Sequence, residues 1–66
     1  MNTDNYESLG YVTVLKITSK AVLVESDGEE IWIPQSVIFE DDLADLVEDE
    51  MCEINVKQWF YDKELA

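Results

Sequence analysis

Asp27-Gly28 lies between two runs of alternating apolar residues, and this pair readily takes the positive φ angles of a type I′ turn. A two-residue turn there leaves the flanking strands a single register. Ser26 then faces Glu29, Val24 faces Ile31 and Val22 faces Ile33, which gives one β-branched face, while Leu23 faces Trp32 on the other. Extended backward through a tight turn at Ser19-Lys20, the same pattern sets Ile17 and Leu15 beside Val22 and Val24. Tyr11 to Ile38 therefore reads as a three-stranded antiparallel meander with one core face.

Pro34 has no amide proton and ends the usable hydrogen bonding of the third strand. Beyond it the period changes. In EDDLADLVEDE, Glu40 to Glu50, followed by Met51, the residues Leu43, Leu46, Val47 and Met51 fall on one helical stripe, and Asp42 with Asp45 resembles a capping pair. This spacing predicts a short acidic helix, with an acidic loop as the alternative. Cys52 to Lys57 alternates, with Cys52, Ile54 and Val56 on one side, and predicts a fourth strand. The tail from Gln58 to Ala66 is expected to make a last helical turn whose Trp59, Phe60 and Tyr61 plug one end of the sheet.

The expected fold class is α+β, mainly β: a meander, a short acidic helix, a fourth strand and a C-terminal helical turn, forming a small SH3- or OB-like open barrel. Its expected core is Leu15, Ile17, Val22, Val24, Ile31, Ile33, Ile54 and Val56. Trp32 shares the opposite face with Leu23, Val12 and Val14. Burial under the helix and tail is expected for that face, the alternative being an exposed contact surface.

At 66 residues the chain is one domain, 1–66, with 1–9 expected as a flexible lead. It lies near the lower size limit for folding without metals or disulfides. A hydrophobic content of 47% separates its acidity from that of disordered chains. Cys52 is the single cysteine, so no intramolecular disulfide can form. The start, MNTDNYESLG, has neither the basic residues nor the apolar run of a signal peptide, and no apolar stretch reaches the roughly 18 residues of a membrane span. A cytoplasmic protein that contacts no membrane is expected.

The charge map is lopsided. No lysine or arginine occurs between Ala21 and Val56, whereas twelve of the sixteen acidic residues do, and the formal net charge is −12. Such a surface repels nucleic acid and anionic membranes and attracts basic protein surfaces, many of which exist to bind nucleic acid.

Two clusters concentrate this charge. On a helix starting at Asp41, residues Asp41, Asp42, Asp45, Glu48 and Asp49 share about a third of the circumference opposite the apolar stripe. No lysine at i+4 neutralises them, although a merely solvated face, with acids favoured at a helix start, is the plain alternative. The hairpin register sets Glu25 opposite Glu30, a destabilising like-charge pair, with Asp27 and Glu29 flanking the same turn. A partner's cation between them would relieve the repulsion; splaying into water would do so as well.

Catalytic and metal chemistry find little support. Glu25, Asp27 and Gly28 superficially match the start of an EF-hand, but the rest of its spacing is absent, and zinc lacks histidines. There is no Gly-rich phosphate loop, and Ser19, Ser26 and Ser36 have no histidine to activate them. Carboxylate pairs need a sheltered cleft to separate their pKa values, which so short a chain hardly offers. No enzyme activity, cofactor or metal is expected.

Lys20-Ala21-Val22-Leu23-Val24, the turn Gly28-Glu29-Glu30, the strand Ile31-Trp32-Ile33-Pro34-Gln35-Ser36-Val37-Ile38 and the later Trp59 together resemble small uncharacterised bacteriophage proteins. Those proteins carry K-A-x-L-V, G-E-E and W-I-P-x-S-x-I motifs before a terminal Trp segment. The resemblance covers roughly residues 20 to 38 and 54 to 65. It implies a fold and no known chemistry, and a phage origin would favour an inhibitor of host defence. The chain departs from the pattern at Gln35, where lysine is usual, and in a longer acidic insert at 40–50.

Charge and resemblance lead to one expectation. The chain acts as a nucleic-acid mimic on a basic nucleic-acid-binding protein, a host nuclease or a CRISPR effector complex, with an anti-CRISPR as the specific expectation. Acids three or four residues apart on a helix sit about 5–6 Å from each other, a scale compatible with DNA's charge per roughly 1.7 Å of axis. A restriction enzyme or a uracil-DNA glycosylase would present a similar surface. The chain is expected to bind no nucleic acid directly and to be a monomer or homodimer. The alternative is a structural or adaptor module that binds a protein, or itself, through its sheet.

Overall fold

The computed structural model describes residues 5–65, in which four antiparallel strands form one sheet of order β3-β2-β1-β4: β1 Tyr6–Ile17, β2 Ala21–Ser26, β3 Glu29–Pro34 and β4 Met51–Lys57. Asp27 and Gly28 have φ of 52° and 84°, the positive pair that a type I′ turn requires. The register follows from it: Val22 faces Ile33, Leu23 faces Trp32, Val24 faces Ile31, and Glu25 faces Glu30.

The first strand differs from the expectation. A bulge between Val14 and Lys16 sets Val14, not Leu15, opposite Val24, while Ile17 still faces Val22. One extra residue reverses the face parity of everything before it. Val12 and Val14 thereby enter the core instead of accompanying Trp32, and Leu15 leaves the set of fully buried residues. Around the turn, Thr18 Oγ1 accepts the N–H of Lys20 at 3.3 Å and of Ala21 at 3.0 Å, the local bonding that favours threonine at turns.

β1 also starts earlier than expected. Tyr6, Glu7 and Ser8 pair with Lys57, Val56 and Asn55, so residues 6–9 of the expected flexible lead belong to the sheet; residues 1–4 lie outside the described residues. Gly10, with φ of 74°, takes up a second irregularity between Ser8 and Tyr11, where a side chain would be strained by the backbone angle alone. The twelve-residue β1 thus pairs with β4 through its first half and with β2 through its second, meeting both at Thr13.

The sheet stays open at β3, and the segment after β3 crosses to its β4 edge. Pro34 ends β3, a 3₁₀ turn at Gln35–Val37 carries the chain across, Ile38 bridges Val56, and the Phe39 N–H donates to the Asn55 carbonyl at 2.8 Å. The buried core is Val12, Val14, Val22, Val24, Ile33, Val37, Ile38, Ile54, Val56 and Phe60. Ile17, Ile31, Leu43 and Leu46 pack against it only partly buried.

The tail forms a helical turn, Gln58–Phe60, continued by a π-helical turn at Tyr61–Leu65; Ala66 lies outside the described residues. Phe60 plugs the barrel as expected and Tyr61 is half-buried, whereas Trp59 is exposed. No helix among the described residues is long and apolar enough to cross a membrane.

Candidate functional site

The acidic segment forms the short helix expected of it, but that helix ends before it reaches Glu48 and Asp49. Helix α1 spans only Glu40–Ala44, with Asp45 at its C-cap, and the chain then runs through turns into β4. Two causes combine. A longer helix would place Glu48, Asp49 and Glu50 at its negative end without a lysine among them, which is electrostatically unfavourable. In addition, β1 extends past the end of β4 and needs hydrogen-bond partners there: the Val14 N–H donates to the Glu50 carbonyl at 2.9 Å, and the Asp49 N–H to the Val14 carbonyl at 2.7 Å.

The five predicted helix acids are accordingly dispersed. Asp41 is exposed on α1 and Asp45 is exposed at its end. Asp42 turns inward, its Oδ2 accepting the Asn55 backbone N–H at 2.8 Å and the Asn55 Nδ2 at 3.0 Å. Glu48 reaches across to accept the Ile17 N–H at 2.8 Å, acting as a side-chain continuation of β4. Asp49 takes a left-handed φ of 70°, a conformation that aspartate tolerates better than most residues. The single anionic arc is replaced by three exposed carboxylates, Asp41, Asp45 and Asp49, and two, Asp42 and Glu48, that tie α1 and the acidic turns to the sheet. The apolar stripe is corrected with it: Val47 and Met51 are exposed.

Asp42 therefore matters for stability. Asp42→Ala leaves the Asn55 N–H without its partner and is expected to cost about 1–3 kcal/mol, read as a lowered melting temperature, with partial recovery in Asp42→Asn.

Cys52 lies close to the same acids. Burial pushes its thiol pKa up, and the negative charges of Asp42 and Asp45 push it the same way. The thiolate is the reactive form, so alkylation at neutral pH is expected to be slower than that of a free cysteine, and to recover on denaturation. This argues against a nucleophilic role. Among the described residues there is also no group of three or more acids, cysteines or histidines placed to hold a metal.

The hairpin keeps its predicted charge. Glu25, Asp27, Glu29 and Glu30 are all exposed, and Glu25 sits directly across from Glu30. The expectation that Trp32 is buried is not met: it is 51% exposed, since α1 packs toward β4 and the tail inserts Phe60 in its place. Gln35 serves as a tie. Its Nε2 donates to the Thr18 carbonyl and locks the β1–β2 turn to the end of β3.

One feature escaped sequence reasoning. A groove of ≈ 820 Å³ lies between the β2–β3 hairpin, the start of β1 and the C-terminal turn, bordered by Asp27, Glu29, Glu30, Trp32, Tyr61 and Glu64. Acids and aromatic rings are brought together there from segments thirty residues apart in sequence. The local signal was the pairing of Trp32 with hairpin acids; the tail's approach had none. In comparisons with known proteins no family matches the chain, and no curated protein or solved structure matches it either.

Proposed function

We propose that this chain is a non-enzymatic, acidic inhibitor that occupies the basic nucleic-acid-binding surface of another protein, as a mimic of the phosphate backbone. The target class is a host defence or DNA-processing protein, with a nuclease or CRISPR effector complex first among them. The observation that carries this reading is the hairpin: four exposed carboxylates gathered around one two-residue turn, including a like-charge cross-strand pair. A basic groove that expects phosphates supplies the missing cations and turns that repulsion into binding energy.

The hairpin replaces the helix as the main contact. Asp41, Asp45 and Asp49 supplement it from the exposed acidic segment, while Asp42 and Glu48 are engaged internally. The testing experiment is capture of host proteins on the immobilised chain at low and high salt, followed by competition with DNA for the captured protein. Salt-sensitive capture that DNA reverses supports mimicry. Salt-indifferent capture, or a captured protein that still binds DNA, removes it. The adaptor alternative is favoured by the half-exposed Trp32 beside an open sheet edge.

A further inference from the structure

The β2–β3 ladder determines which backbone groups of β3 face outward. Ser26 and Glu29 close a two-residue turn and so exchange hydrogen bonds. Antiparallel alternation then makes Val24–Ile31 and Val22–Ile33 bonded pairs, and leaves Glu25–Glu30, Leu23–Trp32 and Ala21–Pro34 unbonded. Two independent details agree with this parity. The next pair is bonded, with the Gln35 N–H donating to the Lys20 carbonyl at 2.9 Å, and Pro34, which has no N–H, occupies an unbonded position. The N–H and C=O groups of Glu30 and Trp32 therefore point away from β2. None of the backbone bonds that join separate elements of the described residues reaches either of them.

This free edge belongs to the strand that borders the groove, and the opposite wall is the C-terminal turn with Tyr61 and Glu64. We propose that the groove receives an extended, lysine- or arginine-bearing segment of the partner protein, which adds to β3 as a further strand through the backbone groups of Glu30 and Trp32. This rests on the reading that the partner is a basic protein, and specifies how it is held. Main-chain bonding supplies the register, and the side chains supply selectivity. Cations on alternate residues of the added strand meet Glu30 and the exposed face of Trp32, where ring and carboxylate attract the same charge.

Charge selects this occupant over the others. A second copy joined edge to edge would bring another chain of formal net charge −12, with its own hairpin acids, to the same groove, and repulsion opposes it. A nucleic-acid strand meets Asp27, Glu29, Glu30 and Glu64 with its phosphates.

The test uses a short peptide of alternating arginine and valine on the full chain carrying Trp59→Phe, which leaves Trp32 as the only tryptophan. The expected result is a saturable change in Trp32 emission that weakens with salt. Glu30→Pro removes an outward-facing N–H that β2 does not use, a substitution edge strands tolerate, and is expected to weaken binding about tenfold or more. Glu30→Gln, which keeps the N–H, is expected to lose only a few-fold. If Glu30→Pro does not fold, N-methylation of alternate peptide amides decides on the unmodified β3: one phase of methylation should abolish binding and the other should not.

Equal binding by both methylated peptides, by the parent peptide to folded Glu30→Pro, or no peptide binding at all overturns the proposal. So does a dimer built through β3. Captured protein lost on reversal of the hairpin charges, with peptide binding insensitive to methylation, would sink strand addition and leave mimicry standing. Strand addition without competition against DNA would do the opposite.

Discussion

Ile33→Ala is expected to unfold the chain or leave it barely stable. Ile33 is fully buried at the middle of the β2–β3 core face, opposite Val22, and alanine removes most of its side chain. Such truncations cost about 2–5 kcal/mol, because the cavity adds to the lost transfer energy. A domain of this length has roughly 3–10 kcal/mol in total. With about 4–8 °C lost per kcal/mol in domains of this size, the melting temperature should fall by roughly 8–40 °C. Val47→Ala is the control: Val47 is half exposed, so its truncation should change stability by less than about 0.5 kcal/mol. Had Val47 stood on a buried helical stripe, the two substitutions would resemble each other. Similar melting temperatures for Ile33→Ala and wild type would overturn the core described here.

The residues that were legible in the sequence were those governed by short-range rules. Asp27-Gly28 dictates a turn type, the turn dictates a register, and the register correctly pairs Val22, Leu23, Val24 and Glu25 with their partners. Cys52 to Lys57 alternates without interruption and forms the strand its pattern predicts, starting one residue earlier. Failure begins where one residue changes parity. Nothing around Leu15 signals a bulge, no glycine or proline marks it, and a regular strand through Leu15 and Ile17 satisfies the same hydrophobic rule as the observed Val12 and Val14.

The acidic segment departs from its expected extent for a different reason. Its apolar spacing is helical, but the free edge of β1 near Val14 and Ile17 competes for its backbone and for Glu48, and that competition is tertiary. The site shares this division. The hairpin acids sit where the turn places them, whereas the dispersal of the helix acids and the groove against Tyr61 and Glu64 depend on contacts distant in sequence.

Reversal of the hairpin charges is expected to separate binding from folding. Replacing Glu25, Asp27, Glu29 and Glu30 by lysine changes eight charge units and brings the formal net charge from −12 to −4. All four side chains are exposed, so no buried contact is lost; reduced self-repulsion offsets the strain of lysine at the positive φ of Asp27, and the fold should be retained. Each exposed charge pair contributes up to about 1 kcal/mol, and reversal both removes attraction and adds repulsion. Affinity for a basic partner should then fall on the order of 100- to 1000-fold, mostly through slower association at low salt. The comparison set is Asp41, Asp45 and Asp49 changed to lysine, leaving Asp42 and Glu48 to hold the acidic segment; this should weaken binding less, since these carboxylates no longer share one face. Titration calorimetry with the captured partner, run on both proteins across a salt series, reads the difference. A folded hairpin variant that still displaces DNA from the partner as well as wild type would end the mimic reading, and the Trp32 edge would then be the surface to alter next.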